Sequence, residues 1–240
     1  RVTFYYPGAE VPALQDVSFV ARPGEVTAVI GGIGSGKSTL ARLLLRFYDV
    51  TEGSVRIDGV DVRQMSQEAV RSRIGYVPQT ALLFSGSVDE NLRYGKPDAS
   101  LEEIREAAAV AQADGFVSEL DGGYDARIAQ GGTNLSGGQR QRLTIARALV
   151  RRPKIYLFDD NFSALDFKTD AKVRMALRRE TVDATVIVVA QRVSTIMDAD
   201  QIIVLDSGRI VGKGTHRELL ESCSIYREIV ASQLAEEAIA

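Results

Sequence analysis

One short segment near the start of the chain limits the possible folds more than any other. Residues 26–30 form an apolar, β-branched run, and the glycine-rich segment 31–39 follows it directly. Large apolar residues then recur at helical spacing, at Leu40, Leu43, Leu44 and Phe47. This order predicts a buried strand, a tight glycine loop and a helix.

Three later apolar runs have the length and the flanking turn residues of buried strands: Ile155 to Phe158, Thr185 to Ala190 and Gln201 to Leu205. Helical patterns separate these runs, so we expect a largely parallel sheet with right-handed crossovers. Asp58-Gly59 and Ser207-Gly208 predict hairpin turns in an antiparallel flank. The predicted fold class is therefore α/β.

Between about residues 86 and 150 the pattern changes to helix starts without strands. Three serines there have the spacing of a capping box: Ser87 with Glu90, Ser100 with Glu103, and Ser136 with Gln139. We therefore predict an α/β core of residues 1–85 and 151–240 with a helical lobe, residues 86–150, inserted into it. Thr215 with Glu218 predicts a further helix start, and we expect the tail from Leu234 to fray.

Composition excludes several classes. The 240 residues carry a net charge of −3, which gives no general basic surface and argues against a nucleic-acid partner. The single histidine, His216, and the single cysteine, Cys223, are read as structural, so a zinc site is not expected. Apolar runs fall far short of the ~20 residues that span a bilayer. The chain starts at Arg1 without an initiator Met or a signal segment, so we expect a piece of a longer polypeptide.

The glycine-rich segment satisfies the spacing of a phosphate-binding loop through Gly31, Gly36, Lys37 and Ser38. Glycines let consecutive backbone N–H groups and a helix N-terminus converge on phosphates. Lys37 adds a positive charge there, and the hydroxyl of Ser38 is a candidate ligand of Mg²⁺. The candidate nucleotide-binding residues are Gly31, Gly32, Ile33, Gly34, Ser35, Gly36, Lys37, Ser38 and Thr39.

Two further motifs are candidates for chemistry. The apolar run 155–158 ends in Asp159 and Asp160, and ligand sites in parallel sheets lie at the carboxyl ends of strands. Asp159 is then a candidate Mg²⁺ ligand, although two acids can also simply open a loop. The second motif is the start of a helix suited to an anion, formed by Leu135, Ser136, Gly137, Gly138 and Gln139. A capped helix with no ligand is the alternative for this motif.

Together these motifs resemble the nucleotide-binding domain of an ABC transporter of the exporter type, over essentially the whole chain. The resemblance implies a P-loop NTPase core of the RecA-like kind, with an antiparallel β flank and an inserted α-helical subdomain. It also implies ATP hydrolysis with Mg²⁺, catalytic roles for Lys37 and Gln79, and adenine stacking on Tyr6. By the same resemblance, Gln79 contacts Mg²⁺ and relays the nucleotide state to membrane helices.

The resemblance also implies partners. The motif 135–139 would act on ATP held by a second nucleotide-binding domain in a head-to-tail dimer, and Asp166 would lie in a loop that reaches across that dimer. Transmembrane helices of the same polypeptide would dock through coupling helices, on the cytoplasmic face of the plasma membrane, while the chain itself would be soluble. Drugs, lipids and peptides remain equally open as transported substrates, because those helices would set selectivity.

Two positions depart from the family pattern. Asp160 stands where a Glu normally acts as general base, and Gln191 stands where a His normally senses the γ-phosphate. Both changes affect hydrolysis, so the chain resembles the weakly hydrolytic subunit of a heterodimeric multidrug-type exporter. An ordinary homodimeric exporter with Asp as base, a structural clamp that barely hydrolyses ATP, and a soluble ABC-type ATPase of DNA maintenance or translation are the alternatives.

Overall fold

The computed structural model describes residues 1–237. Its strands are β1 (Val2–Phe4), β2 (Leu14–Val17), β3 (Val26–Ile30), β4 (Arg56–Ile57), β5 (Val60–Asp61), β6 (Ile74–Val77), β7 (Gly86–Ser87), β8 (Arg127–Ile128), β9 (Ile155–Asp159), β10 (Thr185–Val189), β11 (Gln201–Asp206) and β12 (Arg209–Gly214). Its α-helices are α1 (Lys37–Leu44), α2 (Gln67–Ser72), α3 (Val88–Arg93), α4 (Leu101–Val110), α5 (Asp114–Glu119), α6 (Gly137–Val150), α7 (Phe167–Glu180), α8 (His216–Ser222) and α9 (Ser224–Glu237).

The backbone divides into two compact units. The first unit comprises Arg1–Ile74 and the chain from Ala184 onward, and the second comprises Gly75–Asp183. The second unit contains the whole predicted insertion, residues 86–150, together with β9 and α7. The division of the chain at residues 85 and 150 stays a prediction.

Parallel pairing forms the centre of the first unit. Strand β3 lies between β11 and β10, and it pairs in parallel with both. Strand β12 pairs antiparallel with β11 at the edge. The side chains of residues 28–30 and 202–205 are completely buried, as expected for strands that are covered on both faces. The predicted strands at 26–30, 185–190 and 201–205 are therefore confirmed, and so is the predicted strand at 155–158, which is β9.

The antiparallel flank is also present. Asp58 and Gly59 join β4 to β5, while Ser207 and Gly208 join β11 to β12. All four residues have positive φ angles, between 47° and 80°, as two-residue hairpin turns require. Strand β1 pairs antiparallel with β2. Both hairpin predictions are confirmed.

The predicted helix starts are confirmed by four complete capping boxes, which open α3, α4, α6 and α8. In each box the hydroxyl of the first residue accepts a hydrogen bond from the backbone N–H three residues later. The side chain of that later residue accepts one from the backbone N–H of the first residue. These bonds satisfy N–H groups that the helix itself leaves without partners.

Two local predictions were wrong. Strands β7 and β8 pair antiparallel within the segment that was expected to lack strands, because two-residue strands are too short to give a periodic pattern. Phe47 lies beyond the end of α1 and is 52% exposed, since Arg46, with φ of 51°, interrupts the helix. Helix α9 continues to Glu237, and the expected fraying from Leu234 stays a prediction. The last three residues lie outside the described part of the chain.

The loop between β3 and α1 has a conformation that depends on glycine. Gly36 has a φ angle of 105°, and a Cβ atom placed there would lie 2.6 Å from Leu14 Cδ2 and 3.0 Å from Ala13 O. Gly34 also has a positive φ angle, 77°, but apart from Gly34 itself and its two chain neighbours, no heavy atom of the described residues lies within 4 Å of the corresponding Cβ position. At both positions the positive φ angle disfavours any residue with a side chain. At Gly36 a side chain would also clash with neighbouring atoms.

We predict that Gly34→Ala lowers the free energy of unfolding by about 1 kcal/mol through backbone strain alone. Gly36→Ala should lower it by about 3 kcal/mol, because overpacking against Leu14 adds to the strain. Urea denaturation of the two variants beside the wild type measures both values. Equal losses would contradict the packing of this loop against the chain near Leu14.

Candidate functional site

The structure gathers the residues of the glycine-rich segment around the N-terminus of α1. The Lys37 ammonium donates hydrogen bonds to the carbonyl oxygens of Gly31 and Gly32 at 2.7 and 2.8 Å. The helix has no side-chain cap and no acidic residue in its first turn. Its first backbone N–H groups are therefore not hydrogen-bonded to a capping side chain, and the Lys37 ammonium lies beside them. This arrangement suits a phosphate group.

Tyr6 contacts this helix directly. Its hydroxyl lies 3.1 Å from Thr39 Oγ1 and accepts a hydrogen bond from Arg42 at 3.0 Å. The Tyr6 ring makes edge contacts with Phe4 and Tyr48, with centroids 4.9 and 5.4 Å apart. Tyr6 is thus positioned by its hydroxyl and by two aromatic neighbours. Ser38, the candidate Mg²⁺ ligand, is exposed on α1.

The acidic pair at the end of β9 has two partners in the second unit. The Tyr76 hydroxyl donates to Asp159 Oδ2 at 3.2 Å, and Gln79 Nε2 donates to Asp160 Oδ2 at 3.1 Å. Asp160 has a φ angle of 46°, in the left-handed region that few non-glycine residues adopt. The structure therefore brings the predicted residues Gln79 and Asp160 together. Tyr76 was missed by the sequence analysis, because a tyrosine on a short strand gives no signal of its partner.

Asn161 follows the acidic pair and was also missed. It is completely buried, and within the described residues neither Oδ1 nor Nδ2 has a hydrogen-bond partner. Buried amides are normally hydrogen-bonded, so an amide without a partner carries a desolvation penalty.

The motif 135–139 opens α6. Ser136 Oγ accepts a hydrogen bond from the Gln139 N–H, and Gln139 Oε1 accepts one from the Ser136 N–H. A Cβ atom on Gly138 would lie 3.5 Å from the carbonyl oxygen of Ala164, an ordinary contact distance, so this helix start lies next to the segment before Asp166. The side chain of Ser163 in that segment lies outside the described part of the chain.

Asp166 is the N-cap of α7, and its Oδ1 accepts a hydrogen bond from the Thr169 N–H at 3.0 Å. Hydrogen bonds from Thr169 lower the pKa of Asp166. The carboxylate is therefore charged at neutral pH and remains exposed.

Gln191 comes two residues after the end of β10, in the first unit, and is exposed. Its main-chain oxygen accepts a hydrogen bond from Gln233 Nε2 at 2.6 Å.

Of the two residues read as structural, Cys223 is buried and the His216 ring contacts Tyr226.

The described residues contain no group of three or more His, Cys, Asp or Glu side chains that could hold a metal ion. Mg²⁺ is usually held by one or two carboxylates together with phosphate oxygens and water. Asp159 and the Ser38 hydroxyl are oxygen donors of the kind this ion prefers, so these residue types fit Mg²⁺. No helix in the described residues is long and apolar enough to cross a membrane.

A parallel sheet whose central strand leads through a glycine loop into an uncapped helix defines the class of P-loop nucleotide-binding domains. Residues 14–163 match the family described as ABC transporter. The chain belongs to this family, as an ATP-binding domain of the exporter type.

The relatives are longer proteins. The chain is 58% identical over 234 residues to an uncharacterized ABC transporter ATP-binding protein of Mycobacterium tuberculosis, covering 96% of this chain and 40% of that protein. It is 44% identical to a multidrug efflux ATP-binding/permease protein of Mycobacterium bovis, covering all of this chain and 20% of that protein. A bacterial Atm1-family ABC exporter solved with ATP bound superimposes with a TM-score of 0.93 at 41% identity, covering 97% of this chain and 40% of that one.

We predict that two buried asparagines, Asn161 and Asn91, respond oppositely to replacement by alanine. Asn91 is 2% exposed, and it exchanges hydrogen bonds with the backbone of Phe84, donates to Ser87 O and accepts from Arg147. Asn91→Ala should therefore lower the free energy of unfolding by about 2 to 3 kcal/mol. Asn161→Ala removes an amide without partners and should raise it by about 1 kcal/mol.

Chemical denaturation of the two variants tests this contrast, since the residue type and the substitution are the same. A loss of stability in Asn161→Ala as large as that in Asn91→Ala would show that the Asn161 amide is hydrogen-bonded.

Proposed function

We propose that this chain binds Mg-ATP, pairs head to tail with a second nucleotide-binding domain, and powers export through transmembrane helices of the same polypeptide. The single observation that carries the proposal is the loop of residues 31–39, where Lys37 and the uncapped N-terminus of α1 meet. Membership of the ABC transporter family supports it, because members of this family bind ATP with Mg²⁺. The proposed location is the cytoplasmic face of the plasma membrane.

In this proposal the backbone N–H groups of residues 31–39 and the Lys37 ammonium bind the phosphates. Tyr6 stacks on adenine, and its hydroxyl contacts with Thr39 and Arg42 would hold the ring in place. Ser38, Gln79 and Asp159 hold Mg²⁺, which supplies positive charge against the phosphate oxygens when it is bound. The donor set of hydroxyl, amide and carboxylate oxygens supports this assignment.

We further propose that hydrolysis at the chain's own site is slow. Asp160 is one methylene shorter than Glu, and misplacing a catalytic group by about 1 Å can cost on the order of a hundredfold in rate. Its Oδ2 also accepts a hydrogen bond from Gln79 Nε2 at 3.1 Å, so one oxygen of the carboxylate is already hydrogen-bonded within the chain. Gln191 offers an amide N–H to a phosphate but no titratable proton. The proposed partner is therefore a non-identical subunit that carries most of the turnover, with an ordinary homodimer as the alternative.

The motif 135–139 is proposed to act in trans, on ATP bound to the partner. The first turn of α6 has two glycines and no acidic residue, so backbone N–H groups can approach an anion closely. Asp166 is proposed to contact the partner, since its charged carboxylate is exposed at the start of α7.

An exposed apolar cluster supports the proposal that this chain contacts transmembrane helices. Leu82, Phe84 and Tyr94 are 56%, 42% and 69% exposed, and the rings of Phe84 and Tyr94 lie 4.8 Å apart. The Arg147 guanidinium lies over both rings, and it donates to the Leu82 carbonyl oxygen. Large exposed apolar residues held in place in this way are typical of a docking surface. This cluster follows Gln79 closely in the sequence, so we propose it as the contact for a coupling helix.

We predict that Lys37→Ala weakens Mg-ATP binding at least about 30-fold, which corresponds to ~2 kcal/mol for the loss of a charged contact to phosphate. Titration calorimetry on the 240-residue chain measures the affinity. Lys213→Ala, which removes the same charge from the exposed edge strand β12, is the matched control and should bind like the wild type. Wild-type affinity in Lys37→Ala would mean that the phosphate site lies elsewhere.

We predict that Asp160→Glu combined with Gln191→His raises hydrolysis at this site at least about tenfold, since a general base typically contributes ~10² to 10⁴ in rate. Each single change should raise the hydrolysis rate only slightly, because the base and the sensor act on the same transition state. The measurement is single-turnover hydrolysis in the assembled dimer, with the partner's own site inactivated. If the wild-type chain is already as fast as the double variant, Asp160 is a competent base and the homodimer alternative stands.

A further inference from the structure

The side chain of Gln233, on the last helix, bridges two backbone groups in the segment that follows β10. Its Nε2 donates to the carbonyl oxygen of Gln191 at 2.6 Å, and its Oε1 accepts from the N–H of Val193 at 2.7 Å. Both distances are within the limits of a hydrogen bond. One side chain thus holds the backbone on both sides of Arg192.

The backbone before Gln191 is held as well. The Ala190 N–H donates to Val29 O at 3.0 Å, which ties the end of β10 to β3, the strand that leads into the loop 31–39. Gln191 therefore lies between two fixed points, a sheet hydrogen bond on one side and the Gln233 amide on the other. Its own backbone has little freedom, so the direction in which its side chain leaves the backbone is set.

Helix α9 is itself anchored, which makes the Gln233 contact stiff. Tyr226 is completely buried, and its hydroxyl lies 2.8 Å from His216 Nδ1. Burial raises the pKa of Tyr226 to about 12, so the hydroxyl keeps its proton and can donate to the imidazole. Gln233 comes seven residues after Tyr226, which places both on one face of the helix about 10 Å apart along its axis.

We propose that Gln233 is a positioning residue for Gln191, through which helix α9 controls how the segment after β10 meets the terminal phosphate of a bound nucleoside triphosphate. This inference rests on the proposed function, in which Gln191 is the γ-phosphate sensor. Gln233 does not touch the nucleotide. It acts by holding the backbone that carries the Gln191 side chain. Loss of the bridge should therefore weaken binding of the triphosphate and leave binding of the diphosphate unchanged.

The first test measures the bridge itself. Gln233→Met keeps the length and shape of the side chain and removes both hydrogen bonds. We expect the Val193 amide proton to exchange with solvent at least about tenfold faster in this variant, as measured by NMR on the 240-residue chain. Ser232→Ala is the matched control, because the Ser232 hydroxyl bonds only within its own helix, to Ile229 O at 3.0 Å among the described contacts.

The second test measures the consequence for the nucleotide. Calorimetry gives the ratio of the ADP and ATP dissociation constants in the presence of Mg²⁺. Gln191→Ala defines the ratio without a sensor side chain. We expect Gln233→Met to lower the ratio at least about fivefold, toward the Gln191→Ala value, with the ADP affinity unchanged. Ser232→Ala should keep the wild-type ratio.

The possible outcomes separate the two proposals. Unchanged Val193 exchange in Gln233→Met, or a wild-type ratio in Gln233→Met while Gln191→Ala lowers it, overturns the role of Gln233 and leaves the proposed function intact. A wild-type chain that binds neither nucleotide overturns the proposed function. A wild-type ratio in Gln191→Ala overturns the sensor role of Gln191, and with it this inference.

Discussion

The burial of β3 between two parallel neighbours is the constraint on which the rest of the first unit depends. The register of its pairing with β10 and β11 fixes where the three strands end relative to one another. The glycine loop starts where β3 ends, so close to β11 that a Cβ atom on Gly31 would lie 2.1 Å from Leu205 O. The sheet thereby fixes the loop, the start of α1 and the segment after β10, each of which carries a proposed nucleotide contact.

The two adjacent carboxylates of the second unit accept hydrogen bonds from different side chains. Asp159 is the last residue of β9 and accepts from Tyr76, whereas Asp160 leaves the strand with a left-handed backbone and accepts from Gln79. Their surroundings differ although the residues are consecutive and identical. This difference supports separate proposed roles, a metal ligand for Asp159 and the position of the general base for Asp160. The bond from Gln79 also connects Asp160 to the segment that leads toward the exposed cluster of Leu82, Phe84 and Tyr94.

Features that depend on neighbours in sequence were predicted well. The four capping boxes and both hairpin turns involve residues at most a few positions apart, so the residue types carry the information. The apolar strands were predicted because a strand that is buried on both faces must be apolar throughout. The short strands β7 and β8 were missed, since two-residue pairing leaves no periodic pattern. The family resemblance supplied the candidate roles of Tyr6, Gln79 and Gln191, which their residue types alone do not specify.

The sequence by itself determined the phosphate-loop motif, the order of strands and helices, and the departure from the family pattern at Asp160 and Gln191. Only the tertiary structure decided that Tyr76 contacts Asp159, that Asn161 is buried without a partner, and that Gln233 holds the backbone around Arg192. The physical reason is that local hydrogen bonds follow from residue spacing, whereas these contacts join positions about 40 to 80 residues apart or depend on burial, and no spacing rule relates them.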